Sequence, residues 1–253
     1  EFYFIRPFWC ALDSQFRNIN LRLDIFDNDL TNGFSVVDTT ATGINVVDSN
    51  NVEIGDNGDA NDIDGYNTAI RISGGSNVTV DNNNITDTNF GIDADGVATL
   101  LIEDNDIDGR YQKGGKGTVG IRVSGGSNAT IGGNSGDTNE VEDFTTGIQV
   151  NGVNTFEVSY NEVDEIDYGV DVDGGSNGNV SYNDLTGNSI TGINVYGSNG
   201  IVVDNNDVNN FDDGIVISAS TGAQVTNNEL WNIDDDGIRI VNGSHGSYVA
   251  FND

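Results

Sequence analysis

Apolar residues in this chain alternate with polar ones over three or four positions and then stop. In Gly43-Ile44-Asn45-Val46, Gly120-Ile121-Arg122-Val123, Gly192-Ile193-Asn194-Val195 and Gly237-Ile238-Arg239-Ile240, the aliphatic residues recur at every second place. The same holds for Asn77-Val78-Thr79-Val80 and Asn128-Ala129-Thr130-Ile131. A period of two predicts strands, not helices. Between the segments lie Gly, Ser, Asn and Asp, the residues of turns.

The segments repeat. Asn, then an acidic residue or Asn, then an aliphatic occurs at Asn28-Asp29-Leu30, Asn61-Asp62-Ile63, Asn83-Asn84-Ile85, Asn105-Asp106-Ile107 and Asn139-Glu140-Val141. It continues at Asn161-Glu162-Val163, Asn183-Asp184-Leu185, Asn206-Asp207-Val208 and Asn228-Glu229-Leu230. Most spacings are 22 or 23 residues; two of 33 and 34 hold insertions. Strands this short cannot pair within one repeat, but stacked coil on coil they form three long parallel sheets. At ~4.8 Å per coil, nine to ten coils make a rod about 45 Å long. The expectation is an all-β parallel solenoid over residues 28–253. Residues 1–27 are read as an N-terminal cap or first irregular coil, and the repeats as breaking off mid-coil after Asn252-Asp253. An uncapped solenoid end exposes unpaired strand edges, so end-to-end or homo-oligomeric association is expected there. The aromatic stretch Phe2 to Leu12 is a poor match to a signal sequence, because of Glu1, Arg6 and Pro7 and the lack of a small-residue cleavage site.

Asn at one place in every coil is read as a structural ladder. Its amide can bond backbone or stacked copies, and Asn tolerates a left-handed backbone. Gly before the aliphatic pair marks a bend or a close approach.

These repeats resemble the right-handed parallel β-helix of the pectin-lyase-like superfamily, including NosD-type proteins. The resemblance implies a right-handed coil and an extracellular or cell-surface protein that handles polysaccharide. It covers lyases, hydrolases, uronan epimerases and non-catalytic surface or tail proteins.

Charge narrows the choice. Nine Lys and Arg stand against 41 Asp and Glu, a formal net charge of −32 over 253 residues. That repels a phosphate backbone and excludes an unassisted nucleic-acid partner. No run reaches the ~18 apolar residues of a membrane helix. One cysteine, Cys10, excludes an internal disulfide framework, and one histidine, His245, excludes multi-histidine metal chemistry. Self-repulsion on this scale points to a saline or Ca²⁺-rich setting.

The few cations are clustered. Arg71, Arg110, Lys113, Lys116 and Arg122 fall close together, and no Lys or Arg lies between Arg122 and Arg239. The outward position of the Gly-aliphatic strands reads Asn45, Arg71, Asp93, Arg122, Gln149, Asp171, Asn194, Val216, Arg239. Arg71, Asp93 and Arg122 are therefore expected side by side, with the insertion Asp108 to Gly117 overhanging them. One reading is a groove for an acidic sugar chain, with Arg71, Asp93, Arg110 and Arg122 binding it. In a lyase or epimerase, Lys113, Lys116 or Arg122 would serve as base or charge clamp and Tyr111 as acid. The other reading is a surface charge ladder beside a loop. A second candidate is acidic: Asp212 and Asp213 on one coil, Asp234, Asp235 and Asp236 on the next. Such oxygen ligands suit Ca²⁺ and weakly resemble the aspartates of polygalacturonase-type hydrolases. The alternatives are a solvated acidic edge or the shaft of a surface fibre or viral tail. Outward residues of the second strand, Glu53, Thr79, Leu101, Thr130, Glu157, Asn179, Val202, Gln224 and Tyr248, form no flat Thr array. Tyr160 and Tyr182, each before a ladder Asn on neighbouring coils, are expected to stack.

Overall fold

A computed structural model of the protein describes residues 22–32, 40–56, 58–110 and 115–253. Among these residues every element is a strand, and every strand pairing is parallel. Each coil feeds three ladders. The back ladder has ten strands, from Leu23–Ile25 through Asn154–Ser159 to Tyr248–Ala250. A second ladder follows the repeating Asn, from Asp29–Thr31 to Glu229–Trp231. The third, the front ladder, takes the Gly-aliphatic strands from Thr42–Val47 to Ile238–Val241. Two long strands, Glu162–Asp173 and Asp184–Tyr196, run through the corner between the second and front ladders and join them into one 16-stranded network. The segment expected as a cap lies mostly outside the described residues. Its last part, Leu23–Ile25, pairs with Val52, Glu53 and Ile54 as a strand of the solenoid.

The alternation explains the core. Ile44, Ile70, Ile92, Ile121, Ile148, Val170, Ile193 and Ile215 form one buried stack through the front ladder. Ile54, Val80, Ile102, Ile131, Val158, Val180, Val203 and Val225 form another behind it. Each such side chain contributes about 1.5–3 kcal/mol by leaving water. A narrow, regular core thus serves a chain that is only 36% hydrophobic.

The Asn ladder is continuous from Asn28 to Asn252, and buried from Asn61 to Asn228. Each described link has the same form: Asn83 Nδ2 donates to Asn105 Oδ1 at 2.8 Å, and Asn161 Nδ2 to Asn183 Oδ1 at 2.8 Å. The amides also donate to core-strand carbonyls, as Asn183 does to Val158 O at 2.9 Å. One expectation is corrected here. The left-handed residue is not the ladder Asn but the one before it: Asp27, Asn82, Asp104, Tyr160, Tyr182, Asn205, Asn227 and Phe251 have φ between 51° and 60°. The bend is made one residue early, which turns the Asn side chain inward to the ladder. The glycines that precede the aliphatic pair in most repeats mark close approach. A Cβ on Gly120 would lie 2.3 Å from Val141, and one on Gly169 2.4 Å from the Gly192 carbonyl.

Candidate functional site

The front ladder brings together three of the candidate side chains. Arg71 pairs in register with Asp93, and Asp93 with Arg122. Asp93 points outward yet is only 6% exposed, because an arginine covers it on each side. Arg71 donates through Nε and Nη2 to Asp93 Oδ2, at 3.3 and 3.0 Å. Arg122 donates through Nε to Asp93 Oδ1 at 2.8 Å, and its guanidinium carbon lies 4.7 Å over the Phe90 ring. Burial alone would raise the Asp93 carboxyl. Hydrogen bonds and charge from Arg122 and Arg71 outweigh it and hold Asp93 below the ordinary carboxylate range. Two guanidinium groups share the Asp93 carboxylate, and the charge of Asp95 on the same strand also bears on Arg122. Each guanidinium has N–H groups that Asp93 does not use, since Asp93 accepts from Nε and Nη2 of Arg71 and from Nε of Arg122. Phe90 under Arg122 is a partner that the alternation does not single out. Its only sequence signal is its place just before Gly91 in the same strand.

The long insertion does not deliver its described cations to this face. Arg110 Nε donates to Asp143 Oδ2 at 2.7 Å, with Asp108 and Glu142 also in reach at 3.7 and 3.4 Å. Lys116 Nζ donates to Asp167 Oδ1 at 2.8 Å and Asn188 Oδ1 at 3.2 Å. Both therefore serve the corner where the second and front ladders meet, against the expected overhang. The reason is that the corner is lined with carboxylates, which capture a cation within one or two coils. A cleft of about 540 Å³ opens there, lined by Glu142, Asp164, Glu165, Thr186, Gly187 and Asn188. Tyr111 and Lys113 lie outside the described residues.

The acidic candidates divide. Asp213, Asp235 and Asp236 bring carboxylate oxygens within 4.8 Å of one another. Asp212 and Asp234 are exposed and stay outside this group. Arg239 Nη2 donates to Asp213 Oδ2 at 2.5 Å and its Nε is 3.7 Å from Asp236. Asp213 Oδ1 is buried and accepts no hydrogen bond from the protein.

The second ladder carries a larger charged feature. Asp106, Glu140, Glu162, Asp184, Asp207 and Glu229 stand outward in register on successive coils. Burial, then like-charged neighbours, raises Asp106, Glu162 and Asp207 above their ordinary values. A carboxyl raised on folding holds its proton more tightly in the folded chain. Its ionisation costs stability as pH rises through the window between the unfolded and folded values, and protonation restores it as pH falls. Asp93 has the opposite sign, and its contribution is lost below the ordinary carboxylate value. The Tm is therefore expected to rise as pH falls from 7 to about 4.5 and to drop below about 4. Added NaCl at pH 7 should raise it as well. A Tm that only falls on acidification from pH 7 would contradict this balance.

A family described as the right-handed β-helix region matches residues 20–172 and 146–253. No curated protein matches the chain. Among solved structures, the enzymatically active domain of bacteriophage CBA120 tailspike protein 2 aligns with a TM-score of 0.55 at 12% identity, over 89% of this chain and 38% of that one. The full-length tailspike protein 2, from an Escherichia coli O157:H7 bacteriophage, gives 0.51 at 13%, over 89% and 37%. The periplasmic alginate epimerase AlgG gives 0.47 at 16%, over 79% and 49%. The chain thus spans less than half the length of each of these structures, and the likeness is one of fold.

Proposed function

From the premise that this chain belongs to the right-handed β-helix family, we propose that it is an extracellular or cell-surface module that binds acidic polysaccharide. The observation that carries this reading is the Arg71–Asp93–Arg122 cluster. A single buried carboxylate orients two guanidinium groups on a rod that is otherwise strongly anionic. Their outward N–H groups suit bidentate recognition of a sugar carboxylate. The two arginines are two coils apart, ~10 Å along the axis, so an extended chain can reach both.

The test is calorimetric titration with oligogalacturonate and with a neutral hexasaccharide of equal length. The acidic oligomer should bind, and Arg71→Ala/Arg122→Ala should weaken it at least tenfold, about 1.4 kcal/mol. Binding that survives in the double variant would remove this face from the account. A concurrent rise in absorbance at 235 nm would reveal uronate elimination, and Tyr111, Lys113, Lys116 and Arg122 would then be replaced one at a time. No binding to any acidic oligomer by folded protein would instead favour a shaft.

A second element of the proposal is Ca²⁺ at Asp213, Asp235 and Asp236. It rests on the buried Asp213 oxygen left without a protein donor and on the oxygen chemistry of that ion. Arg239 competes for the same carboxylates, so affinity should be modest. Millimolar Ca²⁺ should raise the Tm more than equal ionic strength of NaCl, and Asp213→Asn should abolish the difference. Equal effects of the two salts would leave only screening.

A further inference from the structure

Tyr160 and Tyr182 occupy the bend before the ladder Asn, at φ 56° and 57°. At that place Asp27, Asn82, Asp104, Asn205 and Asn227 stand in other coils, residue types suited to a left-handed backbone, and an aromatic recurs only at Phe251 in the last described coil. Two bulky aromatic side chains in succession are a strained choice for a position that Asn fills readily, and local strain of this kind marks functional places. The two rings stack with centroids 4.9 Å apart and planes 6° from parallel. That spacing is the distance between coils, so the backbone holds the rings as a fixed pair. A near-parallel pair at this centroid distance is laterally offset, an arrangement that aromatic rings favour, so the platform is rigid as well as flat.

Tyr182 is 50% exposed. Its counterpart in the next coil is the short Asn205, whose amide is tied to Asp204, so no third ring covers its outer face. Among the described residues neither tyrosine hydroxyl has a hydrogen-bond partner. Around the rings, Glu157 and Asn179 face outward on the back ladder and Glu162 and Asp184 on the second ladder. These groups accept and donate hydrogen bonds, and their charge repels an anion.

We propose that Tyr160 and Tyr182 form a stacking platform for a neutral pyranose chain, a site separate from the arginine face. A pyranose presents an apolar C–H face to a flat ring and hydroxyls at its rim, where the flanking amide and carboxylates stand. The proposal stands whether or not the arginine face binds acidic sugar.

Saturation-transfer NMR with cellohexaose, xylohexaose, maltohexaose, mannohexaose and laminarihexaose tests it. The protein should transfer saturation to at least one, mainly to ring C–H protons, and oligogalacturonate should not compete. In Tyr160→Asn/Tyr182→Asn, which installs the residue native to this bend elsewhere, affinity should fall at least tenfold with Tm unchanged or higher. Tyr182→Trp should keep binding, and Arg71→Ala/Arg122→Ala should leave it intact. Absence of transfer to the whole panel, or equal affinity in the double Asn variant, would overturn the proposal. A lowered Tm in that variant together with no transfer in the parent would identify the pair as a structural stack.

Discussion

Replacing Asn183 by Ala is expected to lower the stability by about 4 kcal/mol, near the top of the range for single substitutions. The side chain sits at 1% exposure in the middle of the ladder. Its Oδ1 accepts from the backbone N–H and the amide of Asn161, at 3.1 and 2.8 Å. Its own amide serves Val158 O and Asn206 Oδ1, each at 2.9 Å. Removing it leaves several buried groups without partners, at about 1–3 kcal/mol each. For a chain of this size each kcal/mol moves Tm by about 2–4 °C, so a fall of roughly 8–16 °C is expected. Asn183→Asp should be no milder, since a carboxylate cannot donate to the next Oδ1. Asn28→Ala, at the partly exposed start of the ladder, should cost no more than about 1 kcal/mol. Chemical denaturation of the three variants checks the gradient. Equal costs at both places would mean that the ladder's burial and continuity are not what stabilises the coils.

A second large effect is expected at Gly178. Its counterpart in the preceding coil is Phe156, which in turn pairs with Ala129. A Cβ at Gly178 would lie 2.0 Å from Phe156 Cζ and 2.2 Å from Cε1. The ring is 4% exposed and has no free volume to enter. Gly178→Val should therefore cost about 3 kcal/mol, at the upper end for overpacking. Phe156→Val alone leaves a cavity and should cost about 2 kcal/mol. Together they restore an aliphatic pair like Val52 and Val78, which occupy the same register three and two coils before Ala129. The double variant should be more stable than either single one, a coupling of at least 2 kcal/mol. Additive losses would show that the two positions do not share one space.

Much of this architecture can be read from residues alone. Alternation with a coil period near 22 places each outward residue opposite its counterpart. The rows Asn45 to Arg239 and Glu53 to Tyr248 pair in the order that the repeat predicts. Stacking of Tyr160 on Tyr182 follows from the same rule. Corners are less legible, because no period governs them. The left-handed residue precedes the ladder Asn, a one-residue shift that composition does not reveal when both places hold Asn, as at Asn82 and Asn83. Arg110 and Lys116 find partners 33 and 51 residues away, across a corner whose shape depends on two unusually long strands. Exchange of size between Phe156 and Gly178 is likewise a matter of packing between coils, since each residue by itself merely departs from the pattern.

The central claim is that the outward guanidinium groups of Arg71 and Arg122 contact an acidic sugar chain. The most direct measurement is an NMR titration of the arginine Nε–Hε resonances with oligogalacturonate. Saturable shifts confined to Arg71 and Arg122, absent with a neutral hexasaccharide and reduced by high salt, are the predicted result. Unmoved Arg71 and Arg122 signals at millimolar oligogalacturonate, from protein that remains folded, would contradict it.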